Sequence, residues 1–159
     1  MKTMFPSTAL RVVESDASKL VILDPPNYLL AGILLLVALA IGIFMLKSGA
    51  QVTVRMMAII LLPLVISGLG LLSSNTVVEF SKASGDVTIL RRRFGFPKSP
   101  SVTPLSSLRY ARVETSRGAR RLALITNSGG ALYPTGAAAR GGEYEAANAI
   151  NDFLGVRAQ

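Results

Sequence analysis

Apolar and polar residues alternate with a period of two at the start of the chain, then fuse into two unbroken apolar runs. They return to a period of two before a final helical stripe. Thr8–Ser15 (TALRVVES) and Lys19–Leu23 (KLVIL), joined by Asp16-Ala17-Ser18, predict a short β-hairpin. Asp24-Pro25-Pro26-Asn27 ends it, because neither proline can donate a ladder hydrogen bond. The two runs, Tyr28–Leu46 and Met56–Leu72, contain no charge. A helix needs roughly 20 apolar residues to cross a hydrocarbon layer of about 30 Å, and Ser73 and Ser74 can extend the second run. The polar connection Lys47-Ser48-Gly49-Ala50-Gln51 predicts antiparallel neighbours, and Pro63 predicts a kink in the second helix. Gly68 and Gly70 lower its helix propensity, which lipid-embedded helices tolerate.

Beyond Ser74 the pattern predicts strands over Thr76–Ser81 (TVVEFS) and Val87–Phe94 (VTILRRRF), with Gly85 free to take a positive φ in the loop between them. Pro97 to Pro100 breaks the alternation. Leu108–Thr115 and Arg121–Thr126 predict a second hairpin around Ser116–Arg120, followed by a turn at Asn127–Gly130 and a short strand at Ala131–Tyr133. Gly136–Gly142 reads as a small-residue linker. The chain then predicts a helix over Glu143–Leu154. Ala146, Ala147, Ile150, Phe153 and Leu154 form one apolar stripe, Glu143 and Glu145 suit the first turn, and Gly155 suits the stop.

These elements predict an α+β membrane protein. A two-helix transmembrane hairpin (28–72) carries an N-terminal β-hairpin (1–27) and a small antiparallel β-domain closed by an amphipathic helix (73–159). The alternative is that both runs form a buried helical hairpin of a soluble protein. In a chain of 159 residues the remainder is too short to cover two fully apolar helices. A cleavable signal is not expected, since the first run follows a polar segment with three acids and exceeds the usual apolar core of such signals.

Charge and composition narrow the function. The formal net charge is +8, and most of the excess lies after Ser73. Cysteine and histidine are both absent, so disulfides, thiolate metal sites and a Ser-His-Asp triad are excluded. The commonest acid–base group and the commonest transition-metal ligand are missing with them. Carboxylates after Ser73 are few: Glu79, Asp86, Glu114, Glu143, Glu145 and Asp152. Glu143 and Glu145, two apart on a helix, face different directions. No Gly-x-Ser-x-Gly elbow occurs, and the glycine-rich Asn127–Gly142 lacks a P-loop ending and the dinucleotide fingerprint. The expectation is a non-enzyme with neither cofactor nor metal.

Val77-Val78-Glu79-Phe80 precedes Gly85-Asp86-Val87-Thr88-Ile89-Leu90-Arg91-Arg92-Arg93, and Pro104-Leu105-Ser106-Ser107-Leu108 leads into a further strand. Leu122-Ala123-Leu124-Ile125, Ser128-Gly129-Gly130 and the closing Phe153-Leu154 follow. In this order, beside a two-helix anchor, the chain resembles bacterial membrane-anchored pleckstrin-homology-like (PH-like) proteins. The opening Val12-Val13-Glu14, Lys19-Leu20-Val21-Ile22 and Pro25-Pro26 resemble the start of a group of small proteins with the same layout. The resemblance covers nearly the whole chain and implies a fold. It carries no agreed activity.

Lys82, Arg91 and Arg93 have the spacing Lys-x8-Arg-x-Arg, which resembles the motif with which some PH domains hold a phosphorylated lipid headgroup. Arg91 and Arg93 fall on one strand face, and Lys82 at the hairpin mouth is placed to converge on the same anion. The alternative is a solvated basic hairpin beside anionic lipid, each charge contributing about 1 kcal/mol near the surface. Arg109, Arg112, Arg117, Arg120 and Arg121 form a second basic group. Nucleic acid is not the expected partner, because tryptophan is absent and aromatics are few, so a stacking platform is hard to build. In the first apolar run, Ala38 and Gly42 make a small-xxx-small step, open either to the second helix or to another membrane subunit. Lys and Arg placement favours both termini in the cytoplasm, under a bacterial inner membrane. Two roles remain: a binding module that holds anionic headgroups or a protein tail at the bilayer, or an accessory subunit of a larger membrane complex.

Overall fold

The computed structural model describes residues 9–47, 54–116, 118–135 and 141–156, and divides into two compact units. The polar connection at 48–51 lies outside the described residues.

One unit consists of Pro26–Ser74 with Arg92–Phe96. Helix α1 (Tyr28–Lys47) begins where Asn27 caps it, its side-chain oxygen accepting from the Leu30 N–H at 3.2 Å. Helix α2 (Val54–Leu72) continues through Pro63 as one element. At its C-terminus, where carbonyls run out of partners, the Ser73 and Ser74 hydroxyls donate to the carbonyls of Leu69 (3.0 Å) and Gly70 (2.6 Å). Gly68 meets Leu35 and Ala31, while Gly42 meets Leu61, so the helices pack antiparallel. Ala31, Leu35, Ala38 and Gly42 recur at steps of four and three, the spacing of a left-handed helix seam. Both α1 and α2 are apolar, but among the described residues one window, Tyr28–Met45, is long and apolar enough to cross a membrane. The corresponding part of α2, Ile59–Leu72, is shorter. A two-helix crossing therefore goes beyond what length and apolarity establish.

The other unit holds Ser7–Pro25, Asn75–Arg91 and Pro97–Gln159. Strands β1 (Arg11–Ser15), β2 (Lys19–Asp24), β3 (Asn75–Ser81) and β4 (Asp86–Arg93) follow one another in an antiparallel sheet. Both helices are inserted between β2 and β3, yet these strands pair in continuous register from Lys19↔Ser81 to Asp24↔Thr76. Two further strands pair with β4: β5 (Phe96–Pro97) and β6 (Ser101–Pro104), where the proline-broken segment predicts none. A second sheet is formed by β7 (Leu108–Ser116), β8 (Ala119–Thr126) and β9 (Ala131–Leu132).

Helix α3 (Glu143–Leu154) closes the unit. Its stripe of Ala146, Ala147, Ile150 and Phe153 is buried, and Gly155 caps it at φ 72°. The core lies between the two sheets and this helix. Leu20 and Ile22 from β2, Phe80 from β3, Leu122 and Leu124 from β8, and Ile150 from α3 are fully buried there. The Phe80 and Phe153 rings meet edge-on at 6.2 Å. Glycine is obligatory at the start of α3: a Cβ on Gly142 would collide with the Leu10 carbonyl, and the Leu10 N–H donates to Gly141 O at 3.0 Å. That contact ties the entry of β1 to the entry of the helix.

Candidate functional site

Two surfaces stand out: the uncovered sides of α1 and α2, and the basic residues of the β-unit. On α1, Leu29, Leu36, Leu39 and Phe44 are exposed, and only 11% of the Tyr28–Met45 window is buried. On α2, Ile59 and Leu62 are exposed likewise. A soluble core helix buries such side chains, and each large aliphatic left in water forgoes about 1.5–3 kcal/mol. Ala38 is buried and Gly42 approaches Leu61, so this small-residue step lies against α2. Beside it an apolar groove of about 450 Å³ runs between the helices, past Leu39, Ile43 and Val65.

Lys82, Arg91 and Arg93 occupy separate surroundings. Lys82 lies in the β3–β4 turn, where its ammonium sits 4.6 Å from the centroid of the Phe153 ring. It lines a cleft of about 610 Å³ together with Arg109 and with Asp152, whose carboxylate opposes anion entry. Arg91 lies toward the far end of β4, and strand geometry puts it about 17 Å from Asp86, the first residue of that strand. It shares sheet parity with the buried Val87 and Ile89. Its guanidinium donates to the carbonyls of Tyr133 (2.8 Å) and Pro134 (3.4 Å), bridging the first sheet to the exit of the second. Lys82 and Arg91 do not converge. The cation beside Arg91 is Lys98, and with Ser99, Ser101 and Tyr133 they line a cleft of about 240 Å³. Arg93 is exposed in the helical unit.

The second basic group is more tightly built. On the outer face of the β7–β8–β9 sheet, Arg112 donates to Glu114 Oε1 through Nε (3.1 Å) and Nη2 (2.6 Å). The Tyr133 hydroxyl donates to Glu114 Oε2 at 2.8 Å, and the Arg121 guanidinium stacks 4.3 Å from the Tyr133 ring centroid. Hydrogen bonds from Arg112 and then Tyr133 hold the Glu114 carboxyl below the ordinary glutamate range. The same carboxylate pushes the Tyr133 phenol up. Glu114 thus has both carboxylate oxygens engaged and is held ionised, a poor general acid and a good clamp.

Sequence reasoning passed over Asn151. This buried side chain accepts from the Ala111 N–H (2.7 Å) and donates to the Ala111 carbonyl (3.0 Å), completing the free edge of β7 as a neighbouring strand would. Its signal was slight: a lone amide next to the apolar stripe of α3. No cluster of three or more acidic side chains among the described residues could hold a metal ion. No family model matches the chain, and no curated protein matches it.

Proposed function

We propose that the chain is a non-catalytic, membrane-anchored binding and scaffolding module that presents a basic PH-like domain at the inner surface of a bacterial inner membrane. The observation that carries this reading is the apolar surface of α1, most of which the described residues leave uncovered. A second crossing by α2 is supported by the β2–β3 ladder. Strands on either side of the helices hydrogen-bond from Lys19↔Ser81 to Asp24↔Thr76, so the chain must return to the side it left. If α1 crosses, α2 crosses back. The PH-like assignment rests on the resemblance above, together with a four-strand meander, a three-strand meander and a closing helix. In this reading Lys82, Arg91 and Arg93 act as separate cations toward anionic lipid, each contributing about 1 kcal/mol, and not as one chelating site.

Because the chain has no cysteine, single-cysteine labelling tests the topology directly. Ser18→Cys and Ser128→Cys should react with an impermeant maleimide only in inverted vesicles, and Ser48→Cys only in spheroplasts. Reaction of all three from one side would remove the proposed crossings. The groove beside Ala38 and Gly42 favours a second reading, an accessory subunit whose helix pair receives another apolar helix. A stoichiometric membrane partner retained through purification in mild detergent would select that reading.

A further inference from the structure

The segment Arg92–Phe96 belongs with the helices and not with the β-unit from which it extends. Strands β4 and β5 meet there in a two-residue turn, Phe94-Gly95, with φ of 53° and 77°. Both angles are positive, as in a type I′ hairpin turn, where asparagine or glycine normally occupies the first position. A bulky aromatic there carries backbone strain. The ring of Phe94 lies directly over Gly70, where a Cβ would collide with it, and the Gly95 N–H donates to Ser73 O at 3.2 Å. The turn is thus fastened to the last turn of α2, at the end of the apolar segment. Phe94 remains 52% exposed and Phe96 76% exposed. Arg92 and Arg93 immediately precede them, are exposed, and enter none of the ion pairs among the described residues.

Exposed aromatics in a strained turn, fixed beside the end of an apolar helix and preceded by unpaired cations, match the chemistry of a membrane–water boundary. Phenylalanine rings flanked by basic residues bury into the headgroup–acyl boundary, and cations there meet anionic headgroups. We propose that Arg92–Phe96 is an interfacial wedge: Phe94 and Phe96 enter the acyl boundary of an anionic bilayer while Arg92 and Arg93 hold its headgroups. This inference rests on α1 and α2 lying in the membrane, and adds a third, reversible contact that clamps β4 to the lipid surface.

The chain contains no tryptophan, so Phe96→Trp supplies a single reporter in the full-length protein. In nanodiscs containing phosphatidylglycerol its emission should be blue-shifted and quenched by lipid brominated near the headgroup. Leu36→Trp, at the middle of α1, should be quenched by lipid brominated near the bilayer centre. Adding Arg92→Ala and Arg93→Ala to Phe96→Trp should weaken insertion about fivefold per charge in anionic nanodiscs and leave it unchanged in phosphatidylcholine. Quenching at Leu36→Trp without quenching at Phe96→Trp overturns the wedge and leaves the anchor standing. Absence of quenching at both positions removes the anchor as well. Equal insertion of Phe96→Trp in neutral and anionic discs, unaffected by the arginine substitutions, overturns the headgroup role.

Discussion

Asn151 shows how a single amide can decide whether a sheet edge is closed. Its two hydrogen bonds satisfy both backbone groups of Ala111, a buried residue on the outermost strand of its sheet. Asn151→Ala leaves a buried donor and acceptor unpaired, and should lower stability by about 1–3 kcal/mol in thermal melts of the detergent-solubilised chain. Asn151→Leu should be no better, because volume does not replace the lost pairing. Glu114 gives a pH signature of its own. Its carboxyl is held below the ordinary range by Arg112 and Tyr133, so its contribution is complete above the unfolded-state value. That contribution is lost as pH falls through the lower folded value. Melting temperature should drop across that acidic window in the native chain, and Glu114→Gln should flatten the drop. An equal acid response in both chains would show that Glu114 is not the group responsible. Neither residue was legible beforehand. A polar side chain next to a helical stripe looks solvated, and an Arg-x-Glu pair on a strand looks like surface charge. The spacing of Arg91 from Lys82 suggests a shared ligand, but spacing along the chain does not report that the exposed Arg91 reaches the Tyr133 and Pro134 carbonyls at the other end of β4.

Among the elements, long periodic segments were the readable ones. The strand at Thr76–Ser81, the hairpin at 108–126 and the helix over Glu143–Leu154 recur in the structure, because alternation and the helical stripe report which face is buried. Strand β6 escaped because Ser-Val-Thr-Pro has little alternation, and the prolines around it signal a loop. It pairs only with β4 and needs no buried face of its own. The helix seam makes a sharper prediction, since two glycines on the pair have opposite surroundings. A Cβ at Gly68 would lie 3.0 Å from Leu35 and 3.4 Å from the Ala31 carbonyl, whereas Gly32 has nothing within 4 Å. Gly68→Leu should therefore force α1 and α2 apart and cost about 1–3 kcal/mol, while Gly32→Leu should be nearly silent. Cross-linking of cysteines introduced at Gly42 and Leu61, which meet across the same seam and leave Leu35 in place, reports the packing in detergent. Equal cross-linking yields in the two variants would mean that the helices do not pack through Gly68.

At the level of the whole molecule, the helices interrupt the order of the chain without interrupting the β-unit. Leu20, Ile22, Val78 and Phe80 come from both sides of the insertion, and they share one core with β7, β8 and α3. Among the described residues, none in that core comes from α1 or α2. A chain in which 25–75 is replaced by Asn-Gly should close β2 and β3 as a type I′ hairpin, because Asp24 and Thr76 are already paired. With the entropy of a long insertion replaced by that of a two-residue turn, the β-unit should fold at least as readily. Paired with Phe94→Asn and Phe96→Ser, to remove apolar side chains that would otherwise face water, it should be monomeric without detergent and melt cooperatively with a β-rich spectrum. The same replacement should abolish membrane retention, because the only uncovered apolar helices among the described residues would be gone. A chain that still sediments with membranes would place the anchor in the β-unit. One that aggregates or melts without cooperativity would show that the helices, beyond tethering the domain, supply part of its stability. The outcome turns on one physical distinction: apolar surface inside the β-unit is buried by its own sheets and helix, while much of the apolar surface of α1 and α2 is left uncovered by the described residues.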